Sequence, residues 1–169
     1  MTDKQRTSYS KFLSLVLRHQ PQLIGLELDP NGWADLSALI EKSKIVDKIL
    51  TIAIISEIAE KCPKQRYNLD VVNNKIRANQ GHSIPVDMEF KPQIPPEFLY
   101  HGTATHYVND IRRTGLQKRR RQYVHLSADI ATATNVGSRH GVPHILTIAA
   151  QEMQQAGFEF YLSDRKSVV

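Results

Sequence analysis

Apolar residues recur through the first third of the chain at helical spacing, interrupted where proline or glycine falls. Phe12, Leu13, Val16 and Leu17 lie at i, i+1, i+4 and i+5, on one stripe of a helix. Pro21 lacks an amide donor and disfavours helical geometry at Gln20, so this helix is predicted to stop near His19. Residues 26–33, LELDPNGW, read as a short extended piece and a turn through Asp29, Pro30, Asn31 and Gly32. Helical periodicity returns over 34–42 through Leu36, Leu39 and Ile40, and again over 51–61, with Thr51 as N-cap. From Tyr67 the period falls to two. Tyr67, Leu69 and Val71 alternate, Asn73-Asn74 supplies a turn, and Ile76 begins a return strand.

Three helices and then a β-hairpin is the order of a winged helix, a module that binds nucleic acids and also proteins. Pro85, Pro92, Pro95 and Pro96 mark residues 84–97 as a crossing between lobes, and the boundary is set at residue 92. The second lobe, 93–169, opens on an apolar strand, FLYHGT (98–103). A helix over 105–113 buries Tyr107, Val108 and Ile111 and stops at Gly115. YVHLS (123–127) reads as a strand, the stretch from Asp129 as a helix running into a glycine-containing turn, and 144–150 and 159–163 as further strands. The fold class is α+β, a winged-helix-like lobe followed by a mixed α/β lobe. It contains no G-x-G-x-x-G, no Walker loop and no paired metal-ligand motif, and no metal is expected.

Composition changes this picture little. Hydrophobic residues at 41% and charged residues at 23% of 169 suit a soluble globular chain of one domain or two small lobes. Lys and Arg number 22 against 17 Asp and Glu, a mild lean toward phosphate-bearing partners. Cys62 is the single cysteine, which excludes an internal disulfide and a cysteine-based zinc site. With no apolar leader and no segment of membrane-span length, a cytoplasmic monomer without a membrane partner is expected.

Several polar positions carry candidate chemistry, each with a plainer reading beside it. Arg18 and His19 end the first helix, either as last-turn cations facing the helix dipole or as an anion-handling pair. His101-Gly102-Thr103 closes a strand with a glycine that admits close approach of a ligand, or is an ordinary strand-to-helix turn. His125 lies between Val124 and Leu126 and faces opposite to both, a half-buried histidine or one half of a clamp on a ribose or amide. Arg112, Arg113, Lys118, Arg119, Arg120 and Arg121 put six cations in ten residues, a solvated loop or a phosphate contact. IRANQGHS (76–83) carries Arg77, Gln80 and His82 into a turn off the hairpin.

Taken in order, SKFLSLVLRH, LDPNGW, IRANQGHS, FLYHGT, the R-x-x-V-H-L-S run from Arg121 to Ser127, and GSRHGVP resemble the RNA 2′-phosphotransferases, over roughly residues 8–162. That resemblance implies an N-terminal winged-helix-like RNA lobe and a C-terminal ADP-ribosyltransferase-like lobe. It further implies NAD as a consumed co-substrate and, as partner, a tRNA-like RNA carrying the internal 2′-phosphate that some tRNA ligases leave at a splice junction. The 2′-phosphate attacks C1″ of the nicotinamide ribose and expels nicotinamide. The ribose O2″ then attacks phosphorus, giving RNA 2′-OH and ADP-ribose 1″,2″-cyclic phosphate. By match to the family's motifs, Arg18, His19, Arg77 and Arg121 are catalytic, with the arginines on the 2′-phosphate and His19 aiding the second step. His101, Gly102, Thr103, His125 and Ser127 match the NAD-binding strands, Arg139, His140 and Gly141 a turn near the ADP part, and Gln80 and His82 the RNA side. A nucleophilic phosphate dianion needs positioning, and a crowded phosphorane needs fixed cations, which three arginines supply. After Ser163 the chain departs from the family, reading DRKSVV where members carry an Asn-Gly-Val-Trp-Leu-type segment. Two alternatives stand beside this one: an ADP-ribosyltransferase acting on nucleic-acid phosphate ends or protein without the second step, with Glu152 or Glu159 as its carboxylate, and an RNA-binding module with an inert second lobe.

Overall fold

The computed structural model describes residues 1–163 and Val168. The backbone divides into two compact units, Met1–Glu89 and a second that begins at Phe90. The described residues form a mixed α+β structure of six α-helices and two small sheets.

In the first unit, α1 (Asp3–Arg18) starts at a capping box, in which Thr2 and Gln5 satisfy each other's backbone amides. It ends as Pro21 requires: His19 is the C-cap, and Pro21–Ile24 turns away as a short 3-10 segment. β1 (Trp33–Asp35) takes two residues from the start of the second predicted helix. The Asp35 carboxylate accepts from the Ala38 amide at 2.7 Å, so Asp35 is an N-cap and α2 runs Leu36–Ser43. α3 (Ile52–Glu60) is capped by Thr51. The hairpin consists of β2 (Tyr67–Asp70) and β3 (Lys75–Ala78), and β1 adds on the other side of β3 in an antiparallel sheet ordered β1-β3-β2.

The apolar stripe of α1 packs as its spacing demands. Leu13, Val16 and Leu17 are fully buried with Leu39, Ile55 and Ile76, each such side chain contributing about 1.5–3 kcal/mol. Tyr67 fastens the sheet to α1, its hydroxyl donating to the Ser10 carbonyl at 2.5 Å and lying 2.7 Å from Ser14 Oγ. This rigid packing fixes where α1 ends relative to β3, which is where the charged residues lie.

In the second unit, β4 (Phe98–Ala104) pairs antiparallel with β5 (Pro143–Ala149), His101 opposite Leu146 and Thr103 opposite His144. The helix predicted over 105–113 is in two pieces, a 3-10 turn Thr105–Tyr107 and α4 (Val108–Thr114), stopped by Gly115 at φ 74°. α5 (Ile130–Gly137) is capped by Asp129, and α6 (Ala150–Gln155) follows β5. Among the described residues, the strands expected at 123–127 and 159–163 are represented by isolated bridges. Ser127 exchanges both backbone hydrogen bonds with Tyr100, Leu126 bridges Val168, and Tyr161 bridges Pro92. Apart from Val168, the stretch after Ser163 that is expected to depart from the family lies outside the described residues; the Val168 carbonyl accepts from the Leu126 amide at 2.8 Å. No helix among the described residues is long and apolar enough to cross a membrane.

What approaches Gly102 closely is the protein's own helix. A Cβ on Gly102 falls 1.7 Å from the Ala133 carbonyl oxygen, and one on Gly137 falls 2.7 Å from the Thr103 oxygen. The two glycines form a notch that lets α5 lie on β4, and backbone cannot yield there as a flexible side chain would. Gly102→Ala is therefore expected to destabilise the chain by about 3 kcal/mol, the upper end of overpacking costs, as read in a thermal melt. An unchanged melting temperature would mean that α5 moves aside freely.

Candidate active site

Three sequence motifs of the first unit meet at one place. The α1 terminus meets the turn after β3, because the Ser83 amide donates to the Arg18 carbonyl at 3.0 Å and Ser83 Oγ is hydrogen-bonded to His19 Nδ1 at 3.0 Å. The LDPNGW turn joins through the sheet. Asp29 accepts from the amides of Asn31 and Trp33 at 3.0 and 2.9 Å, which closes the turn and sets Trp33 on β1 directly opposite Arg77 on β3. The Arg77 guanidinium lies over the Trp33 ring, 4.7 Å from its centre, and only 12% of the side chain is exposed. Glu89 stands 3.9 Å from it but is 65% exposed, so water largely screens that pair. Arg18 Nη2 donates to the Arg66 carbonyl at 3.3 Å, which holds the guanidinium beside the helix end.

His82 records the electrostatics of this cluster. It is 2% exposed, and its Nε2 is buried without a hydrogen-bond partner among the described residues. That nitrogen faces Gly32, where an added Cβ would sit 3.5 Å away. Burial first, then the charges of Arg18, His19 and Arg77, push the imidazole down to about 4 from an ordinary 6.5. The unfolded chain binds this proton near pH 6.5 and the folded chain only near 4, so unfolding takes up a proton between them. Stability is complete above the upper value and falls on acidification, by about 3 kcal/mol in all. Urea midpoints measured from pH 7 down to pH 4 should show a steeper loss for wild type than for His82→Gln. Parallel curves would remove His82 from this account.

In the second unit, His101 Nδ1 donates to the His125 carbonyl at 3.1 Å. A carbonyl only accepts, so the proton of a neutral His101 is on Nδ1 and Nε2 is left as an acceptor. His101 thus meets His125 through that residue's backbone and not its ring. Thr103 is buried, Ser127 is half-buried on its bridge to Tyr100, and Arg139, His140 and Gly141 form an exposed turn after α5 with Gly141 at φ 141°. Arg121 is exposed on the loop between α4 and α5. Gln80 is buried beside β3. A surface cleft lined by Pro92, Ile94, Gln154 and Phe158 contains none of these residues. Sequence reading did not find Trp33, Ser83, Arg66 or Gly32 as parts of the site; the LDPNGW turn was a signal for two of them.

Two guanidiniums, one of them nearly buried on an aromatic face, lie beside two imidazoles, a set whose chemistry suits an anion such as phosphate. Over residues 4–169 the sequence matches the RNA 2′-phosphotransferase, Tpt1 / KptA family. It is 52% identical over 165 residues to a probable RNA 2′-phosphotransferase of Rhodopirellula baltica, covering 97% of this chain and 90% of that one. The corresponding protein of Pectobacterium carotovorum is 47% identical over 165 residues, with 97% and 89% covered. That of Flavobacterium johnsoniae is 48% identical over 164 residues, with 97% and 90% covered. The chain belongs to the RNA 2′-phosphotransferase family.

Proposed function

We propose that this enzyme removes the internal 2′-phosphate of a spliced, tRNA-like RNA by transferring it to NAD in two steps, with the first unit as a winged-helix-like RNA lobe and the second as an ADP-ribosyltransferase-like NAD lobe. The observation that carries this reading is the meeting of Arg18-His19, Arg77 and His82 around the end of α1. NAD supplies an activated C1″ that accepts the phosphate as nicotinamide leaves, and an O2″ that then takes the phosphorus as a cyclic phosphate. Arg18, Arg77 and Arg121 hold the phosphate oxygens, and the stack on Trp33 keeps the Arg77 fork from swinging. His19 acts at O2″ in the second step. Gln80 and His82 support the RNA side.

The donor set of the second unit suits a dinucleotide. Hydroxyls at Thr103 and Ser127 and an imidazole acceptor at His101 Nε2 match the hydroxyls of a ribose. His125 joins them through its carbonyl. Gly102 serves indirectly, by seating α5 on β4. Arg139 provides a cation, His140 an imidazole and Gly141 a side-chain-free approach for the ADP part. Of the carboxylates an enzyme stopping after the first step would use, Glu159 accepts from the Tyr161 hydroxyl and Glu152 lies on the exposed first turn of α6, so neither favours that alternative.

The deciding experiment is a time course on a short RNA with one internal 2′-phosphate, with and without NAD, resolving RNA and nucleotide products. Loss of the phosphate only with NAD, together with ADP-ribose cyclic phosphate, is the expected result. Lasting ADP-ribosylated RNA would point to the single-step alternative, and no NAD-dependent change to a binding module.

A further inference from the structure

The structure sorts five of the six cations of residues 112–121. Arg113 lies 3.3 Å from the Asp110 carboxylate, so it is locally paired. The Arg119 guanidinium lies over the Tyr107 ring, 5.2 Å from its centre, and Tyr107 in turn packs tilted against His106 with ring centres 4.0 Å apart. The Arg121 amide donates to the Lys118 carbonyl at 3.0 Å, closing 118–121 into a tight turn. Within that turn Arg119 has a φ of 53°, uncommon outside glycine, and its seat on Tyr107 offsets that preference. The side chains of Lys118 and Arg120 remain exposed, with no ion pair or hydrogen bond among the described residues. The turn is thus anchored at Arg119 and presents two uncompensated cations next to Arg121.

We propose that Lys118 and Arg120 bind the backbone phosphates of single-stranded RNA flanking the 2′-phosphate, with Arg119 as the residue that positions the turn. The proposal rests on the reading above that places Arg121 at the 2′-phosphate. Exposed cations on a convex turn suit a strand that lies across the surface and continues past it, and backbone phosphates are the regular, sequence-independent anions of such a strand. The pyrophosphate of NAD has the same chemistry and is the competing source.

The test compares wild type with the K118S/R120S double variant on a dodecamer RNA carrying one internal 2′-phosphate, over a range of salt. In the variant, the RNA KM should rise about tenfold at low salt, and the slope of log KM against log salt should fall by about 1.4, or about 0.7 per phosphate contact. The NAD KM and the turnover at saturating RNA should stay within about twofold, since single-stranded contacts of this kind add affinity only. Arg119→Ala, which keeps both cations and frees the turn, should raise the RNA KM by less. An unchanged RNA KM and salt slope would overturn the proposal. A raised NAD KM with an unmoved RNA KM would also overturn it and give the turn to the pyrophosphate. Should wild type show no NAD-dependent loss of the 2′-phosphate, the reading above fails by itself. Anisotropy with the same labelled dodecamer then decides the surface, equal salt slopes for wild type and variant sinking it.

Discussion

Arg77→Ala is expected to lower kcat about 100- to 1,000-fold while the chain stays folded. Losing one fixed donor to a developing oxyanion typically has an effect of this size. Arg77 is the best fixed donor of the first unit. It sits on the central strand of a three-stranded sheet, its side chain is 12% exposed, and Trp33 supports the plane of the guanidinium. Arg77→Lys should recover little of the loss, because an ammonium neither stacks on the indole nor presents two parallel donors. Stability is expected to survive either change. Glu89, the acid 3.9 Å away, is already mostly in water, and removing one cation relieves repulsion among those around His82. The same relief gives an independent readout. Burial, and after it the charges of Arg18, His19 and Arg77, hold the His82 imidazole down to about 4, so the NMR titration of His82 should move upward in Arg77→Ala. Turnover near wild type with that titration shifted would keep Arg77 in the electrostatics of the cluster and remove it from the chemistry.

Much of the first unit was legible because its signals are local. Pro21 ends α1 and Thr51 caps α3 through contacts made within a few residues, and the hairpin turns where Asn73-Asn74 stands, in a four-residue connection that also takes in Val71, expected on the strand. The start of α2 was misplaced because the spacing of Leu36, Leu39 and Ile40 reports a buried face and says nothing of where the helix begins. Asp35 decides that by capping Ala38. In the second unit, Tyr123-Val124-His125 has strand character, but among the described residues the pairing of this stretch is limited to Leu126 with Val168 and Ser127 with Tyr100. Strand propensity reports suitability for a sheet, and pairing needs a neighbour. The candidate residues were legible by type and order, whereas their meeting was not. The contact of His19 with Ser83 spans 64 positions, and the stack of Arg77 on Trp33 depends on sheet register. Gly102 shows the same limit in reverse, since an open backbone invites a ligand and a helix of the same chain equally well.

His19→Ala is expected to separate the two steps of the proposed reaction. A phosphate dianion attacking C1″ arrives without a proton to lose, so the first step asks for positioning alone. The O2″ hydroxyl must give up its proton as it attacks phosphorus, and a guanidinium, always protonated and without an acceptor, cannot take it. Among the described residues around the end of α1, His19 and His82 are the imidazoles able to accept a proton, and His82 has its Nε2 buried against Gly32. That leaves His19, half-exposed at the end of α1 and oriented through Nδ1 by Ser83 Oγ. Removing it should slow the second step about 100- to 10,000-fold, the range of general acid–base contributions, and the first step far less. In a single-turnover experiment with NAD in excess, ADP-ribosylated RNA should accumulate in His19→Ala and stay below detection in wild type. Ser83→Ala keeps the imidazole and loses its orientation, so it should show the same intermediate at a lower level. A His19 variant that is slow overall yet accumulates no such RNA would assign the residue to the first step, and the proton of O2″ would then need another acceptor.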